Sequence, residues 1–394
     1  MRLMGGFGGL VAALAASVAL AAGLALGIGG YVAAAAGATV PGTASTTARA
    51  HATTVTAASH PARSASAALP DYGNPNGHVP IPPAGRAVST SHPNHVIGTG
   101  TPASCTSAAV VRAVAKGGVI VFRCGPRPVT ITMRATAKVV NTSHWVVIDG
   151  GGKVTLNGAG QHQILYMDTC DPKQKWTTSD CYDQEWPHLV VQNLKFEDGY
   201  SSVRQTKNNL GGGGAILAEG GQFKVVNSAF IDNRCYHVGP DLGGAAIRAL
   251  AEWDNKPVYI TRDTFKGGRC SNGSALSSIG VSWQVYDSVM TGNKAIGHGA
   301  NPAPKGSPGG GSGGAIYTDG DSYSVLVAGT VITGNSAREG GGAIFFVSDD
   351  NTGTLTIEYS TLTRNPSAGF WTRPYPGIYF HSSGQPKIIH SSIK

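Results

Sequence analysis

Gly213-Gly214-Ala215-Ile216 is the first clear copy of the segment that decides the fold. Related segments recur at Gly243-Gly244-Ala245-Ala246-Ile247, Gly273-Ser274-Ala275-Leu276, Gly313-Gly314-Ala315-Ile316 and Gly341-Gly342-Ala343-Ile344. Their last, aliphatic residues are separated by 31, 29, 40 and 28 residues, and the one long interval holds a loop rich in Gly and Pro at 297–313. A constant period of about 30 residues is typical of a solenoid.

A second motif alternates with these copies. A hydrophobic residue precedes Asn or Gly by three positions at Phe196/Gly199, Phe230/Asn233, Phe265/Gly268, Met290/Asn293, Ile332/Asn335 and Leu362/Asn365. The residues before each pair alternate between apolar and polar, as strands do. Asn suits a corner because its side chain can bond the backbone of its own turn, and stacked copies could form a ladder at about 4.8 Å. One strand–corner–strand coil per repeat predicts a single-stranded parallel β-helix, an all-β fold.

The start of the predicted solenoid needs a cover, because an open end leaves strand edges unpaired. Residues 106–116 have the pattern of a short amphipathic helix, with Val110, Val111 and Val114 on one face and glycine directly after it. The sequence therefore predicts an N-terminal capping helix.

Six cysteines, all after residue 104, are typical of an oxidising compartment. Their positions predict three disulfides: Cys105–Cys124, Cys170–Cys181 and Cys235–Cys270. The third pair tests the repeat, because Cys235 and Cys270 each lie five residues after the corner Phe of their coil. Equivalent residues of neighbouring coils are about 4.8 Å apart, which is within disulfide range.

The composition excludes several classes of protein. The chain has 394 residues, 56 of them Gly, without the Gly-X-Y period of collagen and with too many hydrophobic residues (41%) for a disordered chain. The net charge of +8 favours acidic partners, yet the basic residues are scattered and no run of five occurs. We therefore do not expect nucleic acid as a partner.

The N-terminal part of the chain has the pattern of an exported protein. Arg2 is followed by a long uncharged apolar stretch, and Ala36-Gly37-Ala38 offers a cleavage site. Residues 1–38 are thus predicted to be a signal peptide, or else an uncleaved signal anchor. Residues 39–96, rich in Ala, Thr, Ser and Pro, are predicted to be a disordered linker. The β-helix domain is then 97–394, secreted or tethered at the cell surface.

The capping helix, the repeats and the stretch 147–156, Val-Ile-Asp-Gly-Gly-Gly-Lys-Val-Thr-Leu, together resemble the pectin-lyase-like superfamily of right-handed β-helices. The Gly-Gly-Ala-Ile and Phe-x-x-Asn repeats are similar to those of polymorphic outer-membrane proteins. The resemblance implies a right-handed helix, but that superfamily includes lyases, glycosidases, epimerases, phage spikes and non-enzymatic adhesins. Its lyase branch uses carboxylates that bind calcium and an Arg or Lys base on one sheet face.

Candidate site residues come from aligning the Gly-Gly-Ala-Ile copies, because alternate residues of a strand face opposite sides. The positions after each aliphatic residue are then outward: Leu217, Arg248, Ser277, Tyr317 and Phe345. The candidate catalytic residues are Arg248, Asp319, Asp321 and Asp349. Asp321 and Asp349 share a position on adjacent coils and are predicted to stack within about 5 Å.

The four aspartates Asp319, Asp321, Asp349 and Asp350 could bind a hard cation such as calcium, the one cofactor that the pattern suggests. Alternatively, two of them could divide acid and base roles. The third interpretation is that these aspartates only form polar turns.

The loop 173–186 has the composition of a sugar-binding surface, with Trp176, Tyr182 and Trp186 between charged residues. Aromatic faces with polar edges suit sugar rings. The alternative is that the rings pack over the first coils. Tyr317, on the outward face, is a fourth candidate for substrate contact.

We therefore expect a monomeric, extracellular β-helix protein that binds, and could cleave, an acidic polysaccharide or cell-surface glycan. If it is an enzyme, it is a polysaccharide lyase or glycoside hydrolase of pectate-lyase-like type. The alternative is a non-catalytic adhesin or structural surface module.

Overall fold

Three parallel sheets wrap the chain into a right-handed parallel β-helix, as predicted. The structure, a computed structural model, describes residues 69–207, 209–300 and 309–394. The predicted signal segment 1–38 and residues 39–68 of the predicted linker lie outside the described residues. No helix in the described part is both long and apolar enough to cross a membrane.

Sheet B carries the Gly-Gly-Ala-Ile copies and has eight strands. They are β4 (Ala137–Lys138), β6 (Leu165–Asp168), β9 (Ile216–Glu219), β13 (Ile247–Ala249), β17 (Leu276–Ile279), β21 (Ile316–Asp319), β25 (Ile344–Val347) and β28 (Ile378–His381). Sheet C has five short strands: β8 (Tyr200–Ser201), β12 (Arg234–Cys235), β16 (Arg269–Cys270), β20 (Lys294–Ala295) and β24 (Ser336–Ala337).

Sheet A has seventeen strands, because most coils contribute two strands to it. They are β1 (His95–Ile97), β2 (Gly118–Phe122), β3 (Val129–Thr132), β5 (Trp145–Asn157), β7 (His188–Glu197), β10 (Gln222–Val226), β11 (Ala229–Ile231), β14 (Val258–Thr261), β15 (Thr264–Lys266), β18 (Trp283–Tyr286), β19 (Val289–Thr291), β22 (Ser324–Ala328), β23 (Val331–Thr333), β26 (Thr354–Glu358), β27 (Thr361–Thr363), β29 (Lys387–Ile389) and β30 (Ser392–Ile393).

The aliphatic residues of the repeat form one column inside the coil. Ile216 pairs with Ile247, the column continues through the later copies, and all of these residues are buried. The structure adds Leu165 and Ile378 at its two ends. Each glycine pair leads the chain into the strand in close contact with the next coil: a Cβ on Gly214 would lie 2.1 Å from the carbonyl oxygen of Arg234. Glycine recurs there because no side chain fits.

The corner motif forms two ladders inside the coil. Phe196, Phe230 and Phe265 stack in parallel, with ring centroids 5.0 and 4.9 Å apart. The predicted asparagine ladder is also present, since Asn293 donates to Asn335 Oδ1 at 2.8 Å and Asn335 to Asn365 at 2.9 Å. The motif thus fills the core and satisfies the buried polar groups of the corner.

The predicted capping helix is α1 (Ser107–Lys116), which packs against β1, β2 and β4. It begins after Thr106, whose side chain accepts a hydrogen bond from the amide of Ala109, and ends at Gly117. Val110 and Val114 are fully buried beneath it. Short 3-10 turns lie at Pro83–Gly85, Pro102–Ser104, Pro172–Gln174, Cys181–Asp183 and Trp253–Asn255.

All three predicted disulfides are formed: Cys105–Cys124, Cys170–Cys181 and Cys235–Cys270. The Cα atoms of Cys235 and Cys270 are 4.7 Å apart, so this disulfide joins neighbouring coils in sheet C. Its presence fixes the register that the sequence predicted.

The expectation of a disordered linker up to residue 96 is wrong for its described part. Residues 69–94, here called the strap, lie along the outside of sheet A and are bonded to several coils. Thr90 donates to Asp149 Oδ2 at 2.9 Å, and Lys224 donates to the carbonyl oxygen of Ala84 at 2.9 Å. The strap forms no strand: side chains of the coils bond its backbone at Ala84 and Val88, and coil carbonyl groups accept from the amides of Asn74 and Asn94.

Candidate functional site

The outward side of sheet B carries two columns of side chains. The first runs through Lys138, Tyr166, Leu217, Arg248, Ser277, Tyr317, Phe345 and Tyr379. The second runs through Asp168, Glu219, Leu250, Ile279, Asp319, Val347 and His381. The alternation was predicted, but the middle of the first column is not exposed. Leu217, Arg248, Ser277 and Tyr317 are buried. The chain around residues 239–243 lies over Arg248, Ser277 and Tyr317.

A cleft of about 630 Å³ opens over β6, β9 and β13. Tyr182, directly after the loop that Cys170–Cys181 closes, and Lys207 both line it. Asp168 and Glu219 also line the cleft. This cleft brings an exposed aromatic ring together with two carboxyl groups of neighbouring strands, and it is our candidate site.

Asp168 and Glu219 occupy the same position on neighbouring strands and are direct register partners. Two donors hold Asp168: the hydroxyl of Tyr166 at 2.7 Å and the backbone amide of Cys170 at 2.8 Å. Tyr166 also donates to Asp171 at 3.2 Å. Burial, with the charges of Asp168 and Asp171, raises the pKa of Tyr166, so this hydroxyl remains a donor.

Glu219 differs from its partner in its surroundings. Burial raises the pKa of Glu219 to about 7, the negative charge of Asp168 adds to this shift, and the positive charge of Arg248 opposes it. Near neutral pH this carboxyl group is therefore divided between its acid and base forms. A carboxyl group with such a pKa can give or take a proton.

Arg248, expected to be an exposed catalytic base, is fully buried. Its guanidinium donates to Ser277 Oγ at 2.5 Å and to the backbone carbonyl of Asp241. Burial lowers the pKa of Arg248 to about 10, while Tyr317, Asp241 and Glu219 favour its charged form. Arg248 does not line the cleft, but its charge opposes the rise in the pKa of Glu219.

The predicted calcium site does not form. No group of three or more His, Cys, Asp or Glu residues in the described part of the chain is placed to hold a metal ion. Asp321, Asp349 and Asp350 are exposed, and Asp350 Oδ1 accepts from Ser348 Oγ and from the amide of Thr352, both at 2.9 Å. The Asp350 side chain thus holds a polar turn at residues 348–352, the alternative that the sequence had left open.

Asp319 is the most buried of the predicted acidic group, with its carboxylate bonded to the Tyr317 hydroxyl at 2.8 Å and to the Gly320 amide at 3.0 Å. Burial raises the pKa of Asp319, and the charge of Asp349 adds to this shift. Tyr317 is only 4% exposed, so it is not placed to contact a ligand at the surface. The half-buried Asp319 and the buried Tyr317 form a hydrogen-bonded pair beside Arg248.

The three aromatic residues of the predicted sugar-binding loop are separated in the structure. Tyr182, 58% exposed, lines the cleft. Trp186 is half-buried and stacks on His144, with centroids 4.6 Å apart. Trp176 is 49% exposed and lies outside the cleft lining. Only Tyr182 therefore joins the candidate site.

Asp168 was not among the predicted site residues, because its strand lacks the Gly-Gly-Ala-Ile motif. A weaker signal was available: Leu165-Tyr166-Met167-Asp168 has the same apolar–x–apolar–acid order as Ile216-Leu217-Ala218-Glu219. Treating residues 165–168 as an earlier copy would have placed the two carboxyl groups side by side.

One family model, the Chlamydia polymorphic membrane protein repeat, matches residues 329–347. This stretch contains the Ile332/Asn335 corner and the copy Gly341-Gly342-Ala343-Ile344, so the predicted similarity of the repeat is confirmed for this coil. No curated protein and no solved structure matches the chain. The repeat match, the parallel coils and the three disulfides are together consistent with a surface-related β-helix protein.

Proposed function

We propose that this protein is exported and binds a glycan chain in the cleft of sheet B. The observation that carries the proposal is the exposed ring of Tyr182 beside the stacked carboxyl groups of Asp168 and Glu219. A tyrosine ring offers an apolar face to a pyranose ring. The carboxyl oxygens and Tyr166 can accept hydrogen bonds from its hydroxyl groups.

The charge of the cleft argues for the class of glycan. Asp168 and Glu219 face one cation, Lys207, on the lining. A uronic-acid polymer would bring more negative charge to the two carboxyl groups, whereas a neutral sugar would supply only donors and acceptors. We therefore propose a neutral, hydroxyl-rich glycan for this site, in place of the acidic one expected from the net charge.

Hydrolysis is the second candidate function, and the pKa of Glu219 favours it. A glycosidase needs one carboxyl group that is protonated near neutral pH and a second that serves as nucleophile or base. Glu219 would protonate the leaving oxygen, and Asp168 would serve as the nucleophile or base. Neighbouring strands are about 4.8 Å apart. This is closer to the distance of about 5–5.5 Å between the two catalytic carboxyl groups of retaining glycosidases than to the wider distance in inverting enzymes.

The wider proposal is a secreted or surface-tethered protein of the pectin-lyase-like kind. The capping helix, the parallel coils and the disulfides support it, and residues 39–68 would be the remaining tether. A non-catalytic adhesin of the same fold is the alternative, because burial alone also raises the pKa of a carboxyl group such as Glu219.

The test is a panel of neutral and acidic glycans titrated against the wild type, Tyr182→Ala, Asp168→Asn and Glu219→Gln. Trp176→Ala is the matched control, because Trp176 is an exposed ring of the same loop outside the cleft. We expect a neutral glycan to bind the wild type and the control alike, and Tyr182→Ala at least tenfold more weakly. Equal binding by Tyr182→Ala and the wild type would refute the cleft as the site.

The same panel separates the two candidate functions. New reducing ends that disappear in Glu219→Gln, with retained anomeric configuration in the first product, would establish hydrolysis. Binding by the wild type without new reducing ends would establish a binding module. Repeating the assay with calcium and then with chelator tests the cation expected from the resemblance.

A further inference from the structure

A column of positive side chains runs along sheet C, away from the cleft of sheet B. Arg234, Arg269 and Lys294 are direct register partners on β12, β16 and β20, and all three are exposed. We call these three residues the cation ladder. The half-buried ring of Tyr200 on β8 precedes Arg234 in the same column.

The spacing of the cation ladder is fixed by covalent structure. The residues after Arg234 and Arg269 are Cys235 and Cys270, whose disulfide holds their Cα atoms 4.7 Å apart. Parallel strands place Lys294 at about the same spacing beyond Arg269. The solenoid therefore presents one cation on each of three successive coils.

None of the three cations forms a salt bridge with another described residue. The salt bridges of the described residues are Lys195–Glu197 and Lys256–Asp254, and neither involves the ladder. Asp232 is exposed at the corner before Arg234 but forms no ion pair there. Like charges directly opposite each other in a sheet repel and are destabilising. An unpaired column of this kind is therefore expected where an external anion neutralises it.

We propose that the cation ladder binds an acidic polysaccharide whose chain lies parallel to the solenoid axis. Carboxylate or sulfate groups along that chain would each face one rung. This goes beyond the proposed glycan cleft, because it concerns another sheet and the opposite ligand charge.

The geometry favours a glycan over nucleic acid. Proteins that bind single-stranded nucleic acid stack successive bases on aromatic rings, but no aromatic ring lies in the column between Arg234 and Lys294. A duplex presents phosphates on two strands across its width, whereas the ladder is one residue wide. A single file of anionic sugars matches a single file of cations.

The experiment compares Arg234→Gln/Arg269→Gln/Lys294→Gln with Arg112→Gln/Arg127→Gln/Lys153→Gln in the full chain. The control triple also removes two arginines and one lysine, but from exposed positions outside the ladder. The two variants therefore have the same net charge. The probes are polygalacturonate, heparin, a neutral dextran, a single-stranded oligonucleotide and a DNA duplex. Binding is measured at about 50 and 200 mM salt, over which ionic contacts weaken.

We expect the wild type and the control triple to bind an acidic glycan, and the ladder triple to bind it at least tenfold more weakly with a flatter salt dependence. Polygalacturonate and heparin distinguish carboxylate from sulfate as the preferred group. Equal loss in both triples, binding of dextran as tightly as of the acidic glycans, or tighter binding of either nucleic acid would overturn the proposal. Tyr182→Ala should bind the acidic glycan normally, so this test can fail independently of the cleft.

A second measurement addresses the fold. If the ladder serves a ligand, removing its mutual repulsion should leave the midpoint of thermal unfolding unchanged or higher. A lower midpoint in the ladder triple than in the control triple would show that the cations serve the fold, and would count against the proposal.

Discussion

The side-chain amide of Gln192 pairs in both directions with the backbone of Val88. Val88 donates its amide to Gln192 Oε1 at 3.0 Å, and Gln192 Nε2 donates to the carbonyl oxygen of Val88 at 3.0 Å. The same Nε2 also lies 2.9 Å from Asp149 Oδ2, to which it donates. Gln192 is a buried residue of a coil. Its side chain thus pairs with the strap backbone as a neighbouring strand would.

Gln192→Ala should loosen the strap. It leaves the backbone groups of Val88 without their partners, and a lost hydrogen-bonding partner in a buried position costs about 1–3 kcal/mol. We expect lower stability in urea and faster proteolysis within residues 80–95. Gln161→Ala, a change at an exposed glutamine, is the control. Unchanged cleavage in Gln192→Ala would show that the strap is held by other contacts.

Asn335→Ala should break the asparagine ladder at its centre. Asn335 Oδ1 accepts from Asn293, and its Nδ2 donates to Asn365 Oδ1 and to the carbonyl oxygen of Met290. The substitution leaves several buried groups unpaired, so we expect a loss of roughly 2–4 kcal/mol in the free energy of unfolding. Thr354→Ala, at an exposed position, should change it by less than about 0.5 kcal/mol. Similar effects of the two changes would contradict a stabilising ladder.

The Cys235–Cys270 disulfide should stabilise the fold more than Cys170–Cys181 does. The sequence separations are 35 and 11 residues, and a longer closed loop restricts the unfolded chain more. Replacing Cys235 and Cys270 by Ala should cost about 3–4 kcal/mol, and replacing the shorter pair about 1 kcal/mol less. Thermal unfolding of the two double variants under non-reducing conditions measures the difference. The reverse order would mean that strain or contacts dominate over loop length.

Glu219 should make stability depend on pH. Its pKa is raised from the ordinary value of 4.5 to about 7 in the folded protein. Between these values the unfolded chain releases a proton that the folded protein keeps, so rising pH favours unfolding. The wild type should lose up to about 3 kcal/mol relative to Glu219→Gln between pH 4.5 and about 7, with no further change above this range.

The measurement is urea unfolding of both proteins across this pH range, with Glu185→Gln as the exposed control. Parallel curves for the wild type and Glu219→Gln would show that the carboxyl group titrates normally. If the protein is a hydrolase, its activity should fall as pH rises through about 7, because the acid form of Glu219 is lost.

The sequence by itself determined the coil. Gly-Gly-Ala-Ile and Phe-x-x-Asn act locally, since glycine permits the tight approach of two coils and the apolar residues must turn inward in every copy. A constant period then sets which residues are neighbours. The register of Cys235 with Cys270, the asparagine ladder and the capping helix followed from this without any knowledge of the structure.

Only the tertiary structure decided which outward residues meet solvent. Arg248 and Tyr317 occupy outward positions, yet the chain that returns over sheet B buries them, and periodicity contains no information about such a cover. The strap on sheet A has the same origin, because it depends on contacts between segments far apart in the chain. The pairings of Asp168 with Glu219 and of Arg234 with Arg269 follow from the register of the repeat, but only the structure shows that the two carboxyl groups line one cleft and that both arginines face solvent.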